Sequence, residues 1–269
     1  MHDFQPRLSL LICTIDERIA RVPDILLPPH PAIRYIVSWQ RATGETIAPP
    51  AVLQERKDVT LTQISGRGLS ANRNNALQNC PTAYAVMADD DCRYRMADLE
   101  ALIALMDEHP EVEIFCGRAR RADGELRRKY SAQPFDYSSA PRFTYYASVE
   151  IAVRVSGRLP RFDERFGLGA EKMTSGEEEV FLQVAHSNGL KICYFPIDIC
   201  TTLEAATTGT RFDTDAGVRR AKGGVMCILY GRWGALLRCA KFALLHRPRH
   251  IRRNFSDMLA GINLVAYGR

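Results

Sequence analysis

The sequence has no CxxC pair and none of the close cysteine spacings that clip a small secreted fold. Its eight cysteines stand singly at 13, 80, 92, 116, 193, 200, 227 and 239. That scatter argues against a disulfide framework and reads as reduced thiols of a cytosolic protein. No apolar stretch reaches the ~18 residues needed to cross a bilayer. The first apolar run, Leu8 to Cys13, is too brief for a signal peptide and lacks a basic leader. Internal repeats and low-complexity tracts are missing, as is a Gly-rich N-terminal loop followed by a phosphate-binding Lys, which weighs against a nucleotidyltransferase. The expectation is a cytoplasmic protein, soluble or peripheral on the inner face of the cell membrane.

What is present is a chain of 269 residues, 46% hydrophobic and 25% charged. That length builds one large domain, or one domain with a small appendage, around a sizeable core. The formal charge of +5 is unevenly spread. From Arg220 to Arg269 there are ten Lys or Arg and one acidic residue, Asp257, so the positive field belongs mostly to the tail.

Leu8 to Thr14 is nearly continuously apolar, as a strand buried on both faces requires. Arg34 to Gln40 and Val59 to Ser65 are further strand candidates. Ser70 is a candidate N-cap for a helix over Ala71 to Cys80, which Pro81 stops. Ala83 to Ala88 reads as a strand running into Asp89-Asp90-Asp91. A helix follows over Met96 to Glu108, with Leu99, Leu102, Ile103 and Met106 on one face, then a strand over Val112 to Cys116. This βαβαβ rhythm predicts a largely parallel sheet. Residues 119–141 read as irregular. Tyr145 to Val153 is a strand candidate, Glu177 to Asn188 a helix closed by Gly189, and Leu190 to Phe195 a strand.

Three adjacent carboxylates at the carboxyl end of an apolar strand repel one another. A protein tolerates them most easily where a hard cation such as Mg²⁺ or Mn²⁺ neutralises them, at the sheet edge where open α/β folds bind ligands. A solvated acidic turn explains the triplet alone equally well.

The surrounding motifs shift that balance. Gly68-Leu-Ser-Ala-Asn-Arg-Asn-Asn-Ala-Leu77, a strand and then Asp89-Asp90-Asp91 resemble the family 2 glycosyltransferases of GT-A fold, in which a G-x-S-x-A-R-N-x-A helix precedes a strand ending in D-x-D. A second block, Phe162-Asp-Glu-Arg-Phe-Gly167 with Gly176-Glu-Glu-Glu-Val-Phe-Leu182 and Gly189-Leu-Lys-Ile-Cys-Tyr-Phe-Pro196, is similar to the family's F-D-E-x-F-G, G-E-D-x-x-F and G-x-x-I-x-Y-x-P region. The resemblance covers residues 8 to 210. It implies an α/β GT-A fold: a mostly parallel, Rossmann-like sheet flanked by helices over residues 1–212. An amphipathic, basic, helical region over 213–269 forms the appendage.

The resemblance also implies roles. Asp89 lies near the ribose of a nucleotide-sugar donor, Asp91 ligates a divalent metal (Mn²⁺ or Mg²⁺) on its diphosphate, and Asp90 belongs to the same site. Arg73 meets the diphosphate or holds the carboxylates. Thr14 and Asp16, after the first strand, occupy the position that contacts the base. Glu178 stands at the Asp of the family's Glu-Asp pair and becomes the base that deprotonates the acceptor hydroxyl, with Glu177 and Glu179 as substitutes. A helix N-terminus that merely favours acidic residues is the simpler account of the same glutamates. The reaction implied is an inverting transfer from a nucleotide-diphosphate sugar to a glycan or lipid-linked acceptor, in cell-surface polysaccharide synthesis.

Two departures open an alternative. Val37-Ser-Trp-Gln40 replaces the acidic turn that commonly follows the second strand, leaving Trp39 either to stack on a base or to pack. No His follows the strand ending near Phe195, where the family often places one beside the metal. A non-catalytic GT-A domain that binds a nucleotide or glycan is therefore the second reading. In the tail, Val218 to Tyr230 and Trp233 to Leu245 mix large apolar residues with Arg and Lys, and residues 246–253 add a basic cluster. Such segments suit an anionic membrane surface. Nucleic acid is not the expected partner, because no aromatic-interleaved or zinc-type motif accompanies the charge.

Overall fold

The computed structural model describes residues 5–141, 144–204, 211–246 and 248–268. Contacts divide the chain into two compact units: Met1–Arg67 with Asn72–Pro160 and Ala185–Ala205, and Gly68–Ala71 with Arg161–Val184 and Ala206–Arg269. The division does not fall between 212 and 213, because residues 161–184 group with the tail.

The first unit holds a nine-stranded sheet. Strand β1 (Leu8–Ile15) pairs in parallel with β2 (Ile33–Arg41) on one side and β4 (Tyr84–Asp89) on the other, and β2 pairs in parallel with β3 (Val59–Ser65). Seven of the eight residues of β1 are buried, because both faces of the sheet are covered. One face packs Leu8, Leu10 and Ile12 with Val37, Trp39 and Val86 against Leu99, Leu102, Ile103 and Met106 of α3 (Met96–Glu108), the apolar stripe that the sequence predicts. Over the other face runs α2 (Leu69–Gln78), where Asn75 Nδ2 donates to Ser38 Oγ of β2 at 2.7 Å and to Thr62 Oγ1 of β3 at 2.8 Å.

Beyond β4 the pairing becomes mixed. A short strand, β8 (Ile151–Arg154), lies antiparallel between β4 and β6 (Ile114–Arg121), and β9 (Ile192–Thr202) runs parallel to β6. The two-residue strands β5 (Cys92–Arg93) and β7 (Phe135–Asp136) pair antiparallel with opposite ends of β9. The sheet is therefore mostly parallel, as the sequence predicts: β1, β2, β3, β4, β6 and β9 run one way, and the short strands β5, β7 and β8 run against them. The strand read over Tyr145 to Val153 is mostly not a strand: a 3-10 turn at Ser148–Glu150 precedes the four residues of β8.

In the second unit Leu69 N–H donates to the Leu168 carbonyl at 2.8 Å. Ser70 lies inside α2 and does not cap it; its Oγ donates instead to the Phe166 carbonyl at 2.6 Å. The tail forms two helices, α5 (Ala216–His246) and α6 (Ile251–Tyr267). Both fall within the helical region that the sequence predicts over 213–269. Gly231 sits at φ 67°, a left-handed conformation that a side chain would resist, and bends α5 there. Arg247, within the basic cluster, lies outside the described residues.

The two tail helices touch backbone to backbone. A Cβ added at Gly223 would lie 1.9 Å from the Met258 carbonyl oxygen, and one at Gly261 would lie 1.8 Å from that of Arg220. Beside this crossing Arg219, itself buried, donates from Nε to Asp257 at 2.6 Å and from Nη1 to the Phe212 carbonyl at 2.8 Å. A methyl group at either glycine forces the helices apart. Gly261→Ala should therefore cost about 1–3 kcal/mol of stability, read as a lower urea midpoint; an unchanged midpoint would refute this account of the crossing.

Candidate functional site

The apolar run of β4 ends at Asp89, and Asp90 and Asp91 form the tight turn into β5. Because β4 lies beside β1, the turn meets the end of β1 and the 3-10 segment Asp16–Ile25 that follows it. Because β5 pairs with Thr201 and Thr202, the turn also meets the end of β9, and Leu203 N–H donates to the Asp91 carbonyl at 3.0 Å.

The three carboxylates are neutralised unequally. Asp90 is 4% exposed and the best satisfied. It accepts from Thr14 Oγ1 at 2.7 Å and from Arg18, whose Nε reaches its two oxygens at 3.0 and 2.9 Å and whose Nη2 also pairs with it. That bidentate fork offsets the desolvation of a buried carboxylate. It also raises the Arg18 guanidinium pKa, the bond to Asp90 being the largest cause.

Asp89 faces Arg73 at 3.4 Å. Arg73 is buried and also donates to Ser148 Oγ at 2.6 Å, so α2 and the turn before β8 fix its guanidinium at the carboxylate. Asp91 has a weaker environment: its side-chain partner among the described residues is the Cys92 thiol, at 3.9 Å. Burial first, then the charges of Asp89, Glu204 and Asp90, push its carboxyl pKa above the usual range. Asp91 is thus the member of the triplet whose side chain makes no ion pair among the described residues; the Arg18 charge acts on it only through space.

Thr14 is buried, with its carbonyl accepting from Asn72 Nδ2 at 2.9 Å. The other amide atom, Asn72 Oδ1, is buried without a hydrogen-bond partner. Asp16 is held differently from the triplet. At φ 45° it is the one described non-glycine residue with positive φ, and its Oδ1 accepts from the Ala42 and Thr43 amides at 2.8 and 3.2 Å. Burial raises its carboxyl pKa, but these amides outweigh it and the net direction is down. Asp16 therefore braces the loop after β2. Trp39 does not stack in a cleft: it is fully buried, and its Nε1 donates to the Asp16 carbonyl at 2.9 Å.

Sequence reasoning missed Arg18, Ser148 and Glu204. Arg18 had one signal, its place just after the first strand. Glu204 occupies the end of β9, where the sequence offers no His; it pairs with Arg21 and lies 3.9 Å from Arg18.

Glu177 and Glu178 belong to the second unit. Both are buried, in the first turn of α4 (Glu177–Ser187). Glu179 beside them has its carboxyl pKa raised by burial and by the charge of Glu178, against the lowering influence of Lys222. The surrounding motif residues form core: Phe162 stacks on Phe181 with ring centroids 4.3 Å apart, and Phe166 packs with Met173, Val180 and Val225.

Among the described residues no three His, Cys, Asp or Glu side chains converge to hold a metal by themselves. Asp91 alone fits one, as a half-buried carboxylate among three other anions.

Residues 39–158 match the model of a family described as Glycosyl transferase family 2. Over that stretch the chain resembles the family 2 glycosyltransferases. The matched stretch contains Arg73 and the whole aspartate triplet. No curated protein matches the chain by sequence. Among solved structures it is similar to S. aureus TarS 1–349, at 15% identity and TM-score 0.59. It is also similar to that protein in complex with UDP, at 14% and 0.62, and in complex with UDP-GlcNAc, at 14% and 0.59. Each comparison covers 98% of this chain and 92% of the other. These likenesses show the GT-A fold.

The unequal neutralisation generates two expectations. Arg18→Ala strips the fork from a buried carboxylate and should cost about 1–3 kcal/mol, measured by urea unfolding. Asp91 behaves oppositely. Its folded-state pKa is raised, so its ionised form costs stability at neutral pH, and that cost is relieved as pH falls through the folded value. Asp91→Asn should therefore melt higher than wild type at pH 7, with the difference vanishing in acid; a lower melting temperature at pH 7 would contradict the assignment.

Proposed function

We propose that the protein is a metal-dependent, inverting glycosyltransferase that moves a sugar from a nucleotide-diphosphate donor to a glycan or lipid-linked acceptor in cell-surface polysaccharide synthesis. The observation that carries this reading is Asp91: a half-buried carboxylate just after β4, inside the stretch that matches the family 2 model, without an ion pair of its own while Asp89 and Asp90 meet guanidinium groups. The complexes of S. aureus TarS with UDP and UDP-GlcNAc support a uridine-diphosphate sugar as donor class.

In this reading Asp91 would hold a divalent ion. Such an ion supplies charge stabilisation for the departing nucleoside diphosphate. Asp89, only partly buried, faces the ribose. Arg73 keeps Asp89 in place, and its fork offers further donors for phosphate oxygens. Asp90 does not touch the donor; with Arg18 and Thr14 it fixes the turn, so that Asp91 is presented in one geometry. Thr14 and Asp16 set the loop beside the base. Glu178 takes the proton of the acceptor hydroxyl as that oxygen attacks the anomeric carbon from the side opposite the leaving diphosphate, which inverts the centre. Glu177 supports it.

Asp91→Ala should abolish donor turnover with Mn²⁺ while the far-ultraviolet circular dichroism stays that of wild type; retained turnover would remove the metal role. Glu178→Gln should lower kcat by about 10²–10⁴ with the donor KM unchanged, measured by nucleoside-diphosphate release. A non-catalytic nucleotide-binding domain would instead bind UDP in a thermal-shift assay and release nothing from any donor.

A further inference from the structure

Beyond Gly231 the second half of α5 runs from Arg232 to His246. Its buried side chains are Ala235, Cys239 and Ala243, every fourth residue, which face the tail's own core with Met258 and Ile262 of α6. At 100° per residue, Trp233, Leu237 and Leu244 fall within about 40° of one another on the opposite side. They are 72%, 74% and 55% exposed. Leu236 and Phe242 also pack on that core, so a helix that in addition shows three large apolar side chains in line to water carries an apolar face that a soluble surface does not need.

The flanks of this stripe are cationic. Lys241 lies beside it, Arg238 stands further round over the Tyr230 ring, and Arg232 lies over the rings of Trp233 and Tyr267. Arg232 also lines an open cavity with Lys172, Arg220, Asn263 and Tyr267, three cations and no acidic residue. The sole acidic residue from 216 onward, Asp257, is engaged by Arg219. Among the described residues no helix is long and apolar enough to cross a membrane. Apolar side chains flanked by Arg and Lys on a helix too short to span describe an element that lies in the interface of a bilayer.

We propose that this face of α5 docks on an anionic phospholipid bilayer. Trp233, Leu237 and Leu244 enter the boundary between headgroups and acyl chains, and Arg232, Arg238 and Lys241 pair with headgroup phosphates, with the Lys172–Arg220–Arg232 cavity receiving one of them. Nucleic acid fits less well, because the apolar stripe lies at the centre of the charge. The inference is independent of the reaction proposed above.

The chain has two tryptophans, at 39 and 233. Trp39 is fully buried, so any change in emission on binding reports Trp233. The full-length protein should co-sediment with vesicles of phosphatidylglycerol mixed into phosphatidylcholine, with a blue shift of emission, and should bind pure phosphatidylcholine about tenfold less or worse. Replacing Leu237 and Leu244 with Asp should abolish both signals while leaving the melting temperature and the UDP thermal shift unchanged. Failure to bind either vesicle would overturn the proposal. So would a blue-shifted Trp233 in a vesicle-free dimer, which would make a second copy of the chain the occupant of this face. A vesicle-binding protein that releases no UDP would leave this inference standing and remove only the proposed reaction.

Discussion

Three carboxylates in succession at the end of a buried strand are an electrostatic problem, and much of the first unit's local structure follows from how it is solved. Arg18 comes from the segment after β1, Thr14 from β1 itself, Arg73 from α2 and Ser148 from the turn before β8. Each is brought in by the parallel register of β1 against β4 or by the helix crossing the sheet. Their combined effect is asymmetric: Asp89 and Asp90 each meet a guanidinium group, whereas the side-chain partner of Asp91 among the described residues is the Cys92 thiol.

The tail is built on the opposite principle, with close approach of backbones instead of charge matching at its centre. Gly223 and Gly261 let α5 and α6 come together at a distance that no side chain allows. The Arg219–Asp257 pair consumes the only acidic residue of the region. What remains outward is cationic and apolar, which is why the surface of the second half of α5 differs in kind from the mixed charges around the sheet.

The repeating elements were legible from residue pattern. Continuous apolar runs gave β1, β2 and β4, because strands covered on both faces have no polar side to mark. The helical stripe of Leu99, Leu102, Ile103 and Met106 marked α3 to the residue. Patterns failed where an element is short or held by distant partners. The segment before β8 read as one strand although a 3-10 turn occupies half of it, since four residues carry too little periodicity. Ser70 has the composition of a cap, yet its hydroxyl is claimed by a carbonyl 96 positions away.

By itself the sequence determined the order of strands and helices, the location of the acidic triplet at a strand end and the motif residues that resemble those of family 2 glycosyltransferases, because these depend on local composition and spacing. It could not assign Trp39 to the core, Asp16 to bracing a loop, or Arg18 to Asp90, since each assignment depends on which strand lies beside which. Nor could it rank the three aspartates. A carboxylate's charge is decided by its burial and by the cations within a few ångströms, and those cations arrive from residues as much as 72 positions away, brought there only when the sheet closes.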